Sequence, residues 1–246
     1  MKTIVLAAGY ATRLYPLTEN FPKPLLQIGK NTILGRMLDD IDTIPEITEH
    51  IIVTNGRFAG IFQDWVNIGK AGRETKPVRV LSDGTVTNET RLGAVRDLIL
   101  AIDTYKLDED LLVVAADNIL DFSFKGFVDA FKEKGTSMIM CHHEPEIYKL
   151  QRTGVIEVDE NMRVLQMQEK PEVPVSHWAV PPFYIYRKED LPLIKGAIKG
   201  GCGFDAPGNL AHYLVDRTPI HAWPMPGGRF DIGSLDTYEE AKVKYA

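Results

Sequence analysis

The residues best suited to chemistry lie in one early segment. It reads Leu6-Ala7-Ala8-Gly9-Tyr10-Ala11-Thr12-Arg13-Leu14-Tyr15-Pro16-Leu17-Thr18 and closes with Pro22-Lys23-Pro24-Leu25-Leu26. Ala7, Ala8, Gly9 and Ala11 are small enough for the backbone to approach a ligand closely, and successive N–H groups in such a loop can cradle phosphate. Arg13 adds a forked set of donors, and Lys23, held between two prolines, adds a point charge. By composition alone the segment also reads as a small-residue loop with two surface cations. Neither of the commoner nucleotide fingerprints is present. There is no GxxxxGK[ST], and no GxGxxG follows the first apolar run. HExxH and GxSxG are absent too. His142 and His143 are adjacent, so on a strand they face opposite ways and do not share an ion.

The elements that must position this loop follow from hydrophobic periodicity. Residues 3–8, 50–54, 111–116 and, more briefly, 78–81 are continuous apolar runs, which predicts strands buried on both faces. Leu34, Leu38 and Ile41, and then Leu92, Val95, Leu98, Ile99 and Ile102, recur at helical spacing. Strands alternating with helices predict βαβ units and a mainly parallel sheet, whose ligands sit outside the carboxyl ends of the strands. The loop at Leu6–Thr18 follows the first strand and so occupies such a place.

After about residue 135 the rhythm changes. Residues 137–142 form a strand pattern. Residues 154–158 and 163–168 flank Asp159-Glu160-Asn161, a hairpin signal. Residues 178–187 form another strand, broken by Pro181-Pro182, which predicts an edge or a bulge. Ser234 is placed to cap a last helix with Leu235, Tyr238 and Ala241 facing inward, acids first and lysines last. The expectation is an α/β fold in one domain, 1–246. Residues 1–135 form a parallel half and 136–246 a smaller β-rich, mixed-strand half.

Composition sets outer limits. The chain has 246 residues, 44% apolar and 25% charged, and a net charge of −6 from 28 basic and 34 acidic residues. That is globular composition and gives no general attraction to nucleic acid. Cys141 and Cys202 are the two cysteines, without a CxxC pair, so neither a disulfide framework nor a structural zinc site is expected. No apolar run approaches the ~20 residues of a membrane span. Met1–Ala11 reads as a first strand rather than a secretion signal. The expected setting is cytoplasmic, with no membrane and no nucleic-acid partner.

Leu-Ala-Ala-Gly-x-x-Thr-Arg-Leu-x-Pro-Leu-Thr followed by Pro-Lys-Pro-Leu-Leu resembles the signature of the sugar-phosphate nucleotidyltransferases, including the thymidylyltransferases for glucose 1-phosphate. Ordered matches continue along the chain. Asp117-Asn118 resembles the family's Gly-Asp-Asn. Gly154-Val155-Ile156 with Glu169-Lys170-Pro171 resembles its Gly-Val and Glu-Lys-Pro. Phe230-Asp231-Ile232-Gly233 resembles its Trp-x-Asp-x-Gly. Leu92-Gly93 resembles its Leu-Gly before a helix.

The resemblance implies a Rossmann-like mixed, mainly parallel sheet flanked by helices, the fold of nucleotide-diphospho-sugar transferases, with residues 1–135 as its nucleotide-binding half and 136–246 as its acceptor-binding half. It implies condensation of a nucleoside triphosphate with a sugar 1-phosphate and release of pyrophosphate, by a monomer or homodimer. By the same resemblance Arg13 and Lys23 are catalytic: Arg13 steadies the leaving pyrophosphate, and Lys23 bridges the α-phosphate and the attacking phosphate. Leu6, Ala7, Ala8, Gly9, Asp83, Gly84, Thr85, Asn88 and Gly93 contact the nucleotide. Asn118, Gly154, Glu169 and Lys170 contact the acceptor, Glu169 at a hydroxyl and Lys170 at the phosphate. Asp117 and Asp231 hold Mg²⁺, which takes one or two carboxylates beside phosphate oxygens and water.

The physics is consistent with that reading. A phosphate monoester has a second pKa near ~6, so the attacking group is already an anion and needs no general base. The barrier lies in bringing like charges together. The thymidylyltransferase glutamine is missing from residues 82–93, and Thr153-Gly154 stands where hexose-specific members often have Tyr-Gly. A pyrimidine base is expected from the polar Asp83, Thr85 and Asn88. A cytidylyltransferase for another phosphate or phosphonate and a non-catalytic nucleotide-sugar binder are the competing readings. Asp205-Ala206-Pro207-Gly208 reads as a substrate-side loop with no assigned role.

Overall fold

The computed structural model describes residues 1–69 and 75–245. They group into two compact units that interleave along the chain. One comprises Met1–Leu92, Ala115–Lys125 and Gly227–Ala246, and the other Gly93–Val114 and Gly126–Pro226.

In the first unit the main sheet is parallel. Strand Glu49–Thr54 lies between Lys2–Leu6 and Val78–Ser82, with Ile4 opposite Ile51 and Ile52 opposite Val80. Every residue of Glu49–Thr54 is buried, as the continuous apolar run predicts for a strand covered on both faces. Helix Ile33–Ile41 buries Ile33, Leu34, Met37, Leu38 and Ile41 on one stripe. Its first turn is closed by Thr32, whose Oγ1 accepts from Gly35 N at 2.9 Å. Two strands far apart in the sequence, Asn118–Leu120 and Arg229–Asp231, pair antiparallel. The closing helix, Leu235–Lys244, is held by a reciprocal cap between Ser234 and Thr237. Tyr238 and Ala241 are buried as expected, but Leu235 is exposed. It occupies the first helical position, where the chain has just left the core.

A second apolar cluster in this unit joins Leu14, Leu26, Ile28, Ile33, Ile119, Ile232, Tyr238 and Ala241. Leu14 follows Arg13, Ile119 lies two residues after Asp117, and Ile232 follows Asp231. The packing of these side chains therefore fixes where the neighbouring polar groups start.

The second unit is a mixed sheet. Strand Phe183–Tyr186 runs antiparallel between Leu111–Ala115 and Ser137–His143, and Ile220–Pro224 lies parallel to Ser137–His143. Trp178–Val180 pairs antiparallel with both Ser137–His143 and Gly154–Val158. The Pro181-Pro182 break is the expected bulge and not an edge: both flanking segments pair with Ser137–His143, but the register shifts by two residues between Ala179 opposite His142 and Tyr184 opposite Ile139. It separates two strands, each with a neighbour on both sides, so no ladder needs the missing N–H groups. The hairpin of Gly154–Val158 with Val164–Glu169 has the expected turn, with Asp159 Oδ1 accepting from Asn161 N and Arg163 N at 2.8 and 2.9 Å.

A buried polar node fixes this sheet to the helices. Asp190 accepts from Ser137 Oγ at 2.5 Å, Arg187 Nη2 at 3.0 Å and Thr218 Oγ1 at 2.8 Å. The chain thus shows the expected α/β class, a mixed sheet with flanking helices, in which the parallel pairing is concentrated in the first unit. No described helix is long and apolar enough to cross a membrane.

Ile232 is fully buried, whereas Val243 is 84% exposed. Ile232→Ala is expected to lower unfolding stability by about 2–5 kcal/mol, and Val243→Ala by no more than about 0.5 kcal/mol. Urea denaturation of both variants checks the contrast.

Candidate functional site

In the first unit the loop after the first strand begins in register with the sheet, because Ala7 N still donates to Val53 O at 2.8 Å. Asn55 Nδ2 then donates to Ala8 O at 3.0 Å. Ala11 adopts a left-handed φ of +48° and directs the chain into the short turn Thr12–Leu14, which carries Arg13. A second turn, Lys23–Leu25, carries Lys23 between Pro22 and Pro24. Leu6, Ala7 and Gly9 share a cleft of about 130 Å³ with Lys23 and Asp117.

Lys23 is tied in place. Its Nζ donates to Asp117 Oδ2 at 3.0 Å and to Ile232 O at 2.8 Å. Its side chain is 12% exposed and that of Asp117 32%. Asp117 Oδ1 accepts from Asn118 Nδ2 at 2.6 Å, and Asn118 Oδ1 accepts from Arg229 Nη1 at 2.7 Å. Ile232 N donates to Asp117 O at 3.0 Å, and Asp231 stands opposite Asn118 in the ladder. The sequence-distant Asp117 and Asp231 are thus brought to one end of a two-stranded ribbon. Arg13 is exposed and lies close by, since a Cβ on Gly233 would sit 3.8 Å from its Nη1.

Asp231 opens to solvent at its edge, yet surrounding protein desolvates its carboxyl. That desolvation raises its pKa above the usual carboxylate range, and the negative Asp117 raises it further. Lys23, Arg229 and Arg13 oppose the shift. No donor among the described residues bonds the Asp231 carboxylate. Two adjacent carboxylates, one without a hydrogen-bond partner, leave a deficit that a divalent cation relieves. The donor set fits Mg²⁺, which needs few protein ligands. Among the described residues no group of three or more His, Cys, Asp or Glu side chains forms a larger metal cluster.

The loop expected to meet the base is also tied down. Asp83 Oδ1 accepts from Thr85 N at 2.7 Å and from Thr85 Oγ1 at 2.8 Å. Gly56 N donates to Thr85 O at 2.7 Å. Gly84 turns at φ +79°. Asn88 opens a short helical turn, Asn88–Thr90. Both Asp83 oxygens are bonded to Thr85, so the carboxylate shapes this loop from within. Tyr10, which the spacing did not single out, shares a hydrogen bond with Thr85 Oγ1 at 3.3 Å. Arg229, which holds Asn118, was missed as well; its signal was a cation two residues before Asp231.

Gly93 belongs to the second unit and precedes helix Ala94–Tyr105 at φ +94°. A Cβ there would lie 2.6 Å from Phe204 O.

The second unit also holds the remaining expected residues. Register places Glu169 directly opposite Gly154. Consecutive strand residues point to opposite faces, but Lys170 leaves the strand in the left-handed region at φ +50°. Its Nζ thereby returns to 3.9 Å from Glu169 Oε1. Lys170 N donates to Thr153 O at 3.0 Å, which fixes this turn. The Glu169 side chain is 19% exposed. Burial pushes its pKa up, while Lys170 and His212 oppose the shift. It is a carboxylate in want of donors, such as the hydroxyls of a ligand.

A family model described as nucleotidyl transferase matches residues 2–246. A glucose-1-phosphate adenylyltransferase of Fervidobacterium nodosum is 26% identical over 98% of this chain and 60% of its own length. The same-named protein of Clostridium novyi is 25% identical over 99% of this chain and 66% of its own. The chain thus spans 60–66% of the length of these curated relatives. A solved UDP-glucose pyrophosphorylase, complexed with UDP-glucose, superposes with a TM-score of 0.81 at 21% identity. It covers 99% of this chain and 97% of that one, a likeness of fold.

The crowding of Asp231 gives a measurable consequence. In a ¹³C NMR titration its carboxyl is expected to keep its proton to higher pH than a free aspartate. Asp117→Asn removes the like charge but not the burial, so the titration should move down without reaching the ordinary value. An Asp231 titration that Asp117→Asn leaves in place would contradict the coupling.

Proposed function

The chain belongs to the nucleotidyl transferase family, and on that premise we propose that it joins a nucleoside triphosphate to a sugar 1-phosphate. A phosphate oxygen of the sugar phosphate attacks the α-phosphorus, and a new O–P bond forms. The bond from the α-phosphorus to the bridging oxygen breaks, and pyrophosphate leaves with the electron pair. The observation that carries this reading is the convergence of Lys23, Asp117 and Asp231 beside the small-residue loop at the carboxyl end of the first strand.

The backbone of Leu6, Ala7, Ala8 and Gly9 gives the triphosphate a close approach. Lys23 neutralises charge where the two phosphates meet, because its ammonium sits on a short tether fixed by Pro22 and Pro24. Its resting partners, one carboxylate oxygen and one carbonyl, carry less negative charge than a triphosphate. Arg13, exposed and unpaired by any carboxylate hydrogen bond, meets the charge that grows on the leaving pyrophosphate. Asp117 and Asp231 would hold Mg²⁺, which when bound neutralises phosphate charge as a Lewis acid. Asn118, fixed by Arg229, is assigned to the acceptor. In the second unit Glu169, backed by Gly154, accepts from acceptor hydroxyls, and Lys170 meets the acceptor phosphate.

Proximity and charge stabilisation are thus the chain's whole contribution. In the first unit Asp83, Gly84, Thr85 and Asn88 line the base end. The polar surface of this loop and its close internal bonding support a pyrimidine.

The test is pyrophosphate release over a matrix of five triphosphates and several phosphorylated acceptors, with and without Mg²⁺. Turnover with UTP, dTTP or CTP and a hexose 1-phosphate, abolished by chelation, is the expected result. Turnover of ATP or GTP alone would overturn the pyrimidine reading. Turnover only with an alcohol phosphate or phosphonate would move the chain to a different acceptor.

Two substitutions divide the labour. Arg13→Ala should lower kcat by about 10²–10³, as loss of a transition-state contact does. Lys170→Ala should mainly raise KM for the acceptor and leave nucleotide affinity by calorimetry nearly intact. Loss of nucleotide binding in Lys170→Ala with acceptor affinity unchanged would show that the second assignment is wrong.

A further inference from the structure

We propose that Gly208 is a positioning residue for the Glu169 carboxylate, held in place by the loop of residues 203–208; the proposal rests on the reading of Glu169 as the acceptor's hydroxyl-binding group. Gly208 stands in the first turn of helix Pro207–Val215. A Cβ at this position would collide with Glu169 Oε2. It would also lie 3.1 Å from Glu169 Cδ and 3.0 Å from Met167 Cε. Met167 Cε is the end of a flexible side chain and can yield. The carboxylate cannot move without leaving its seat over Gly154, whose own Cβ position is 3.4 Å from the same oxygen. Two missing side chains, one on a strand and one on a helix, therefore define the slot in which the carboxylate rests.

The helix that carries Gly208 is fixed to the same strand at a second point. His212 lies one turn further along, on the same helix face, and its Nδ1 is hydrogen-bonded to Met167 O. The loop leading into the helix is fixed as well. Val95 N donates to Phe204 O at 3.0 Å and Ala94 N to Asp205 O at 3.1 Å. These are first-turn donors of helix Ala94–Tyr105, which otherwise lack an intrahelical partner. The Arg96 guanidinium lies 3.9 Å over the Phe204 ring. Gly93 permits this docking, since any side chain there would strike the Phe204 carbonyl.

The loop is thus rigid at both ends. It sets the helix start, and the helix start sets the carboxylate. A residue larger than glycine at 208 pushes the carboxylate out of this slot. A misplacement of about 1 Å is enough to cost up to 10²-fold in a positioned reaction.

The test is Gly208→Ala. Acceptor KM is expected to rise about tenfold to a hundredfold, with kcat less changed and nucleotide affinity by calorimetry the same as in the parent. In a Glu169→Ala background the added methyl should have no further effect on acceptor KM, because its target is gone. Effects that multiply in the double variant would overturn the proposal.

An activity-independent readout separates this proposal from the functional one. By ¹³C NMR, Gly208→Ala should move the Glu169 titration down towards that of a solvated glutamate, as the side chain is expelled from its buried slot. An unchanged titration overturns the positioning role whatever the substrate. A shifted titration in a chain that turns over no phosphorylated acceptor supports it and defeats the functional reading alone. Should Gly208→Ala not fold, the pair Gly208→Ala with Glu169→Ala removes the clash and folds. If that pair also fails to fold, the proposal falls.

Discussion

The site in the first unit depends on one packing constraint. Leu14, Leu26, Ile119 and Ile232 meet in a single apolar cluster with Ile28, Ile33 and Tyr238. Each comes from a segment that also carries a polar group of the site. Arg13 precedes Leu14, Lys23 comes three residues before Leu26, Asp117 two before Ile119, and Asp231 one before Ile232. Water excluded from the cluster supplies the driving force, and the polar groups ride on its rim. Interiors pack at crystal-like density, so a cluster of this kind holds its rim more firmly than surface hydrogen bonds can. Tyr238 ties the last helix into the same assembly by donating to Gln27 O at 2.8 Å.

Charge is the second organising term, and it works against the first. Asp117 and Asp231 are driven together by the antiparallel ribbon Asn118–Leu120 with Arg229–Asp231, although their charges repel. Desolvation first, and that repulsion second, raise the pKa of Asp231. Lys23 answers part of the repulsion by bridging Asp117 and the Ile232 carbonyl. Arg229 answers another part through Asn118. On the proposed reading, a site for polyphosphate must keep such unbalanced charge, because a fully neutralised cluster would have nothing left to offer an incoming anion or cation.

In the second unit backbone conformation does comparable work. The ladder puts Glu169 beside Gly154, and a left-handed Lys170 folds its ammonium back towards the same carboxylate. A lysine in ordinary extended conformation would have pointed to the opposite face. Backbone outliers of this kind persist where the surroundings over-determine them. Here the hydrogen bond from Lys170 N to Thr153 O supplies part of that determination.

The family and most of the strands were legible in the residues themselves. The spacing of Leu6–Leu26, the pairs Asp117-Asn118 and Glu169-Lys170, and the Asp231–Gly233 turn are local patterns, and local patterns survive without coordinates. Continuous apolar runs likewise announced Lys2–Leu6, Glu49–Thr54 and Leu111–Ala115 to within a residue or two, because strands covered on both faces leave no room for polar alternation. Pairing was not legible. Pro181-Pro182 pointed to an edge or a bulge, and only the register against Ser137–His143 showed that it is a bulge inside the sheet. Leu235 was apolar at the right spacing, yet the helix starts there and its side chain faces water.

Arg229, Tyr10 and Gly208 each act on a residue far along the chain, Asn118, Thr85 and Glu169, so nothing in the neighbouring sequence says what they hold. The sequence by itself determined which chemical groups this protein owns and roughly which element each one ends. The tertiary structure alone decided which groups meet and which are deprived of solvent. Those facts arise from close packing between segments distant in sequence, 75 residues apart for Tyr10 and Thr85, 94 for Lys23 and Asp117 and 111 for Asn118 and Arg229, and no short window of sequence contains both sides of such a contact.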